Sequence, residues 1–108
     1  MTRSFRVTAR AFEDLKIIGR YTLRQWGRSQ RDAYLRALDA RFEWLAQRPM
    51  MGRQGDEIAP GYRSYPHEAH MIFYLIRDGG IDIIGVPHQA MDIPQHLGTD
   101  EARQHRST

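Results

Sequence analysis

The stretch HMIFYLIRDGGIDIIGV, residues 70–86, decides the fold of this 108-residue chain. It contains two apolar runs, His70–Ile76 and Ile81–Val86, on either side of a turn with two glycines, Arg77–Gly80. Two strand-like runs around such a turn are typical of a β-hairpin. The second run leads directly into Pro87–Asp92, which carries an imidazole, an amide, a thioether and a carboxylate. The hairpin predicts a sheet, and its polar exit is the first place to look for function.

Before the hairpin, apolar residues recur at the three- and four-residue spacing of amphipathic helices. Thr8 is a candidate N-cap and Gly27 a candidate stop for a first helix over residues 9–26. Ser29 is a candidate N-cap for a second helix, which Pro49 ends. The expected core positions of the two helices are Phe12, Leu15, Ile18, Thr22 and Trp26, and Leu35, Leu38, Phe42 and Leu45. The short connection predicts an antiparallel helical hairpin.

Strand patterns flank this helical hairpin. Phe5–Val7 alternates briefly, and Tyr62–Tyr65 alternates aromatic and polar side chains before the β-hairpin begins. The order strand, helix, helix, strand, strand, strand (β-α-α-β-β-β) predicts an α+β fold. In this fold the antiparallel helical hairpin packs on one face of a small antiparallel sheet. We expect residues 1–97 to form a single domain and residues 98–108 to form a polar, flexible tail.

The composition excludes several classes of function. The chain has no cysteine, and therefore no disulfide, thiolate metal site or cysteine nucleophile. No apolar run approaches the ~18 residues of a membrane span, and the N-terminus lacks a signal-peptide core, so we expect a cytoplasmic protein. The net charge is +3, and fifteen of the sixteen basic residues are arginine. Guanidinium groups suit an acidic protein partner or nucleic acid, although a GC-rich genome produces the same bias.

Four phrases in the chain resemble the ParE branch of the RelE/ParE toxin superfamily. They are AFEDLKIIGRY (residues 11–21), LAQRPMMGR (45–53), HMIFY (70–74) and HQAMDIPQHL (88–97). The resemblance implies a RelE-like fold and the toxin of a type II toxin–antitoxin pair, held inactive in a hetero-oligomer by a ParD-like antitoxin. It implies that the free toxin inhibits DNA gyrase and blocks replication, whereas relatives of the RelE type cleave mRNA in the ribosome.

The chain departs from the ParE pattern at the exit of the hairpin. Gly85, Pro87 and Ala90 stand where the family usually carries arginine, leucine and arginine. If those arginines contact the target, a further hypothesis is an antitoxin-binding protein with attenuated toxicity.

The resemblance and the residue types together give two sets of candidate contacts. The candidates for target binding are Arg63, Tyr65, His70, Tyr74, His88, Gln89, Met91 and Asp92. The candidates for antitoxin binding are Arg20, Arg24, Trp26, Arg31, Arg41 and Trp44. Simpler roles remain open: His70 and His88 as hydrogen-bonded structural residues, with Asp92 as the partner of His88, the arginines as a solvated face, and the tryptophans as peripheral core.

No set of residues makes a convincing catalytic site. Cleavage of RNA needs a base, an acid and cations near the phosphate. The chemically eligible side chains are Arg63, Tyr65, His67, His70, Tyr74 and His88. His88 and Asp92 alone do not define a metal site. We therefore expect no catalytic residue, metal or cofactor. A non-enzymatic gyrase inhibitor is preferred to an RNA endonuclease, and the toxin alone is expected to bind no nucleic acid sequence-specifically.

Overall fold

The computed structural model describes residues 4–55 and 58–90. Its elements are β1 (Ser4–Val7), α1 (Ala9–Trp26), α2 (Arg28–Gln47), a 3₁₀ turn (Pro49–Met51), β2 (Arg53–Gln54), β3 (Arg63–His67), β4 (His70–Arg77) and β5 (Gly80–Gly85). The fold is α+β, as predicted, with β2 as an additional short strand. Within the described part of the chain, no helix is long and apolar enough to cross a membrane. The predicted tail, residues 98–108, lies outside the described residues.

The five strands form one sheet in the order β1-β5-β4-β3-β2. Neighbouring strands are antiparallel except for β1, which runs parallel to β5 with Val7 opposite Ile83. The prediction of an antiparallel sheet is therefore wrong at β1. The N–H and the hydroxyl of Thr8 donate to the Ile83 carbonyl at 3.1 and 2.9 Å, so α1 starts beside the end of β5. Parallel pairing of β1 with β5 is possible because the chain between these two strands is long and contains both helices and the other three strands.

A tight turn joins β4 to β5. Arg77 lies opposite Gly80, so Asp78 and Gly79 form the turn, and Gly79 has a φ of 79° that favours glycine. Gly80 is the first residue of β5, and a Cβ there would collide with the carbonyl oxygen of Ser4. The second glycine of the predicted Gly-Gly turn therefore allows β1 to approach β5.

The helix boundaries follow local signals at Thr8 and Gly27. The Thr8 side-chain oxygen accepts the Ala11 N–H at 3.3 Å, which confirms the predicted N-cap. Gly27 has a φ of 92° and ends α1, and α2 begins at the next residue. The prediction of a Ser29 N-cap is wrong, because the positive φ of Gly27 turns the chain within one residue and places Ser29 inside α2.

The main core lies between the helical hairpin and the sheet. Its buried members are Ala11, Ile18, Leu38, Phe42, Leu45, Ala46, Ile72, Tyr74, Ile81, Ile83 and Val86. The core stripe of α2 is confirmed. On α1, Ile18 and Thr22 are buried, but Phe12 and Trp26 are 55% and 69% exposed, so their assignment to the core is wrong. The buried face of α1 is narrower than predicted and includes Asp14.

Candidate functional site

A cleft of about 770 Å³, here called the α1 cleft, opens where α1 meets the end of β5 and the β3–β4 turn. Its apolar lining is Ile17, Ile18, Tyr21, Trp26, Val86 and Pro87, and its polar lining includes Asp14, Tyr34, Glu68, His70 and His88. Ile17, Tyr21 and Trp26 all expose about half of their surface or more. Large exposed apolar side chains around one cleft are typical of a binding surface. The candidates chosen from the sequence include Trp26 but not Ile17 or Tyr21. These two residues are four positions apart, next to the core stripe, and this spacing could have indicated a second apolar face of the helix.

A second depression of about 640 Å³, the interhelical groove, lies between α1 and α2. Arg20 and Arg31, both candidate antitoxin contacts, line it together with the exposed Leu23. The Nε of Arg31 lies 2.9 Å from a carboxylate oxygen of Asp32. Arg24 is exposed in the last turn of α1. The helical hairpin therefore combines apolar depressions with exposed guanidinium groups.

Asp14 is a buried carboxylate that lines the α1 cleft. It is 5% exposed, and its Oδ2 accepts the Val86 N–H at 2.8 Å. This hydrogen bond ties α1 to the chain just after β5 and so helps to fix the direction of the polar exit. The sequence pattern placed Asp14 off the core stripe, although its spacing of four residues from Ile18 puts both on one helix face.

His70 forms a polar corner of the α1 cleft. Its Nδ1 lies 2.8 Å from the Tyr34 hydroxyl oxygen, and the His70 and His88 ring centres are 5.4 Å apart. Burial lowers the pKa of His70 to about 4, and repulsion by the imidazoles of His88 and His67 acts in the same direction. Burial also raises the pKa of Tyr34 to about 12. Both side chains are therefore neutral at pH 7, and their hydrogen bond favours the structural role that the sequence left open for His70.

The polar exit of the hairpin is held against the β3–β4 turn. The Gln89 N–H donates to the Ala69 carbonyl at 2.8 Å, and the Gln89 side-chain amide donates to the Glu68 carbonyl at 2.9 Å. His88 is exposed, and its Nδ1 accepts the Ala90 N–H at 3.1 Å. Within residues 4–55 and 58–90, no three His, Asp or Glu side chains come together as ligands for a metal ion.

The three departures from the ParE pattern differ in exposure. Gly85 and Pro87 are buried, whereas Ala90 is exposed. Of these three positions, Ala90 is therefore the one that a partner can contact directly in this conformation. The target-binding candidates Met91 and Asp92, and with them the predicted His88–Asp92 pair, lie outside the described residues.

Tyr74 and Arg63 hold the segment after α2 against the sheet. The Tyr74 hydroxyl donates to the Pro49 carbonyl at 2.7 Å and accepts the Gly52 N–H at 2.8 Å. Arg63 donates to the Gly52 carbonyl at 2.7 Å. Tyr74 is 0% exposed, and burial raises its pKa. Tyr74 therefore offers no surface to a partner, which contradicts its assignment as a target contact. Arg63 is half-buried.

Arg41, Trp44 and Tyr65 lie together over β3, along the C-terminal half of α2. The Arg41 guanidinium carbon is 4.8 Å from the Trp44 ring centre and 5.3 Å from that of Tyr65. The sequence assigned Tyr65 to the target set and the other two residues to the antitoxin set. The structure joins these three residues, and it places Arg20 and Arg31 in a different depression.

The fold is that of a small α+β protein, in which a helical hairpin lies on a mixed sheet and carries apolar depressions beside α1. The family model described as the ParE toxin of the type II toxin–antitoxin system parDE matches residues 5–93. The chain belongs to this family of toxins, as the four phrases in its sequence indicate.

Two relatives that are named as ParE toxins support the same family. The chain is 35% identical over 96 residues to Toxin ParE1 of Caulobacter vibrioides, which covers 89% of this chain and 99% of that protein. It is 36% identical over 98 residues to Toxin ParE1 of Mycobacterium tuberculosis, with 90% and 100% covered. A solved structure described as the chromosomal ParDE TA system from P. aeruginosa matches with a TM-score of 0.69 and 18% identity. The match covers 81% of this chain and 96% of that one, and it shows a shared fold.

Proposed function

We propose that this toxin is held inactive by a ParD-like antitoxin whose amphipathic segment binds beside α1. The observation that carries the proposal is the exposed apolar surface on both sides of this helix. Ile17, Tyr21 and Trp26 lie on the α1 cleft, and Phe12 and Leu23 lie on the interhelical groove. A partner helix or extended segment that covers these side chains removes their apolar area from water, which favours association.

The charge beside these depressions indicates the character of the partner segment. Arg20 and Arg24 form no ion pair with any carboxylate in the described part of the chain. An acidic segment therefore complements the charge of this surface. This complementarity raises the association rate and the specificity of binding. Such a segment is expected to order on contact, because acidic, polar sequences seldom fold alone.

We further propose that the free toxin inhibits DNA gyrase by binding and without catalysis. Membership of the ParE family supports this target. His88 and Gln89 are the candidate contacts, since the hydrogen bonds to the β3–β4 turn present both side chains at the surface. The low pKa of His70 and the burial of Tyr74 argue against acid–base catalysis by those two residues at pH 7.

Calorimetric titration with the purified product of the neighbouring antitoxin gene tests the partner. The double variant Ile17→Asp/Tyr21→Asp should bind at least ~100-fold more weakly, because two apolar contacts become charged. Ile76→Asp is the matched control, since Ile76 is 41% exposed on β4 and lies outside both depressions. Equal affinity of the double variant and the control would show that the antitoxin binds elsewhere.

Supercoiling by purified gyrase, with and without the chain, tests the target. Inhibition or a trapped cleavage complex at micromolar toxin is the expected result, and added antitoxin should reverse it. Cleaved message in a translating extract, with gyrase unaffected, would replace the proposal with the endonuclease alternative. If cells that express the chain grow without arrest while the chain still binds the antitoxin, the result would favour the hypothesis of an antitoxin-binding protein with attenuated toxicity.

A further inference from the structure

Six side chains on α2, at its C-cap and on β3 form a surface that neither proposal uses as a unit. We call Tyr34, Arg41, Trp44, Arg48, Tyr65 and His67 the aromatic–arginine strip. Its three helical members, Tyr34, Arg41 and Trp44, are spaced by seven and three residues, which places them on one face of α2, and Arg48 is the C-cap that follows the helix. Its two strand members are two residues apart on β3 and therefore share a face of the sheet. Between Tyr34 and Trp44, the strip runs for about 15 Å along α2.

The guanidinium groups of the strip are held against aromatic rings. The Arg41 guanidinium lies over both Trp44 and Tyr65, and the Arg48 guanidinium lies 5.3 Å from the Trp44 ring centre. The Trp44 and Tyr65 rings are 5.3 Å apart, and the Tyr34 and His67 rings are 5.6 Å apart. Arginine stacked in this way keeps its N–H edges directed away from the ring, where they can donate to a planar or tetrahedral anion.

These N–H edges are unused within the described residues. The ion pairs in that part of the chain involve Arg6, Lys16, Arg31 and Arg77, and none involves Arg41 or Arg48. Neither the Arg41 nor the Arg48 side chain donates a hydrogen bond to a described residue. Arg48 is exposed, and the other five members of the strip are half-buried. The strip therefore presents two ordered cations beside partly exposed aromatic rings.

We propose that the aromatic–arginine strip binds single-stranded nucleic acid through its phosphates, without reading its sequence. The two guanidinium groups pair with successive backbone phosphates, and the partly exposed rings offer stacking surfaces to unpaired bases. An acidic peptide would use the two cations but would leave the four aromatic rings without a role. This combination of charge and rings favours nucleic acid over an acidic protein segment.

Fluorescence anisotropy of the purified chain with labelled oligo-dT and oligo-rU, each about 12 nucleotides long, tests this inference. Wild type should bind both probes, and the affinity should fall as salt rises. Arg41→Ala/Arg48→Ala should weaken binding at least ~10-fold and reduce the salt slope by about 1.4, the value for two lost phosphate contacts. Arg28→Ala/Arg36→Ala is the matched control, because it removes the same charge from exposed positions of the same helix outside the strip.

Three further comparisons decide the result. Arg41→Lys/Arg48→Lys keeps both positive charges but loses the planar guanidinium contacts. It should therefore bind more weakly than wild type with the same salt slope. This variant also replaces the alanine variant as the test if the alanine variant does not fold. Equal losses in the strip and control variants would overturn the inference, as would no binding to either probe at low salt. Preference for an oligo-glutamate peptide over both oligonucleotides would assign the strip to an acidic protein instead. These outcomes are independent of gyrase and of antitoxin binding at the α1 cleft.

Discussion

The Tyr34 hydroxyl oxygen on α2 and the Nδ1 of His70 on β4 lie 2.8 Å apart, and their hydrogen bond joins the helical layer to the sheet. The two rings also pack with their centres 5.7 Å apart. Because burial holds the pKa of His70 at about 4, the folded state disfavours an imidazolium at this junction. The two layers of the fold therefore meet at an acid-sensitive contact.

The stability of the chain should fall as the pH decreases from about 6.5 to about 4. His70 has an ordinary pKa of 6.5 when unfolded and a pKa of about 4 when folded, so the unfolded state binds its proton more readily in this window. The contribution of neutral His70 to the free energy of unfolding is complete above pH 6.5 and is lost progressively towards pH 4. The titratable groups around it are Asp14 on α1, Tyr34 on α2, His67 on β3 and His88 after β5. Urea unfolding at several pH values measures the slope.

His70→Asn should flatten this dependence, because an amide does not titrate. A smaller slope should remain, since burial also lowers the pKa of His67. His88→Asn is the control, because His88 is exposed, and most of the slope should persist in that variant. If His70→Asn keeps the full slope, another group causes the acid sensitivity.

Gly80→Ala should destabilise the protein by about 1–3 kcal/mol, or prevent β1 from pairing with β5. The reason is the collision of the new Cβ with the Ser4 carbonyl. Gly19→Ala is the contrasting variant, because a Cβ there would lie 3.6 Å from Leu35 Cδ1 on α2, an ordinary van der Waals contact between the two helices. Gly19→Ala should be neutral or raise stability by up to ~1 kcal/mol. Thermal unfolding followed by circular dichroism compares the two, and equal midpoints would contradict the prediction.

Much of the fold is predictable because its signals are local. The Thr8 cap, the Gly27 stop and the hairpin of β4 and β5 each depend on a few neighbouring residues, and each is found in the structure. The direction of β1 depends instead on where a long crossover returns the chain, and no local pattern encodes that. The narrow buried face of α1 is likewise a tertiary effect, because the sheet covers Ile18 and leaves Phe12 in water.

The sequence indicated which residue types are candidates for the site, but it did not indicate which of these residues contact one another. Arg41, Trp44 and Tyr65 were each recognisable as chemistry-bearing residues, yet their contacts join α2 to β3, and residues 48–62 separate these two elements. Tyr74 looked like a surface contact because strand alternation tells which face a residue occupies and not whether that face is covered. In the structure, that face lies under the helices, and Tyr74 is fully buried.

Tyr74→Phe should lower the free energy of unfolding by about 1–3 kcal/mol. The change removes one hydroxyl and leaves the Pro49 carbonyl and the Gly52 N–H without their buried partner. Tyr21→Phe removes the same atom from a side chain that is 59% exposed, so its effect should stay within about 0.5 kcal/mol. Urea denaturation of the three proteins gives the comparison. Similar losses in both variants would mean that the Tyr74 hydroxyl has no special structural role.

Asp82→Asn should destabilise the sheet by about 1–2 kcal/mol near neutral pH, because one carboxylate joins three strands. Arg6 on β1 and Arg77 on β4 donate to Asp82 on β5 at 2.9 and 2.7 Å. Burial alone would raise the pKa of Asp82, but these hydrogen bonds outweigh it and the pKa is lowered. The contribution of the carboxylate is therefore present above its ordinary pKa of 3.8 and is lost as the pH falls through the lower folded value.

The stability difference between wild type and Asp82→Asn should accordingly shrink in strong acid and in high salt. Arg6 donates to both carboxylate oxygens of Asp82, but its side chain is 68% exposed, whereas that of Arg77 is 31% exposed, so we expect solvent to weaken the Arg6 pair more. Double-mutant cycles should therefore give a larger coupling energy for Arg77→Ala with Asp82→Asn than for Arg6→Ala with Asp82→Asn. The reverse order would show that the β1–β5 pair, and not the β4–β5 pair, depends on this carboxylate.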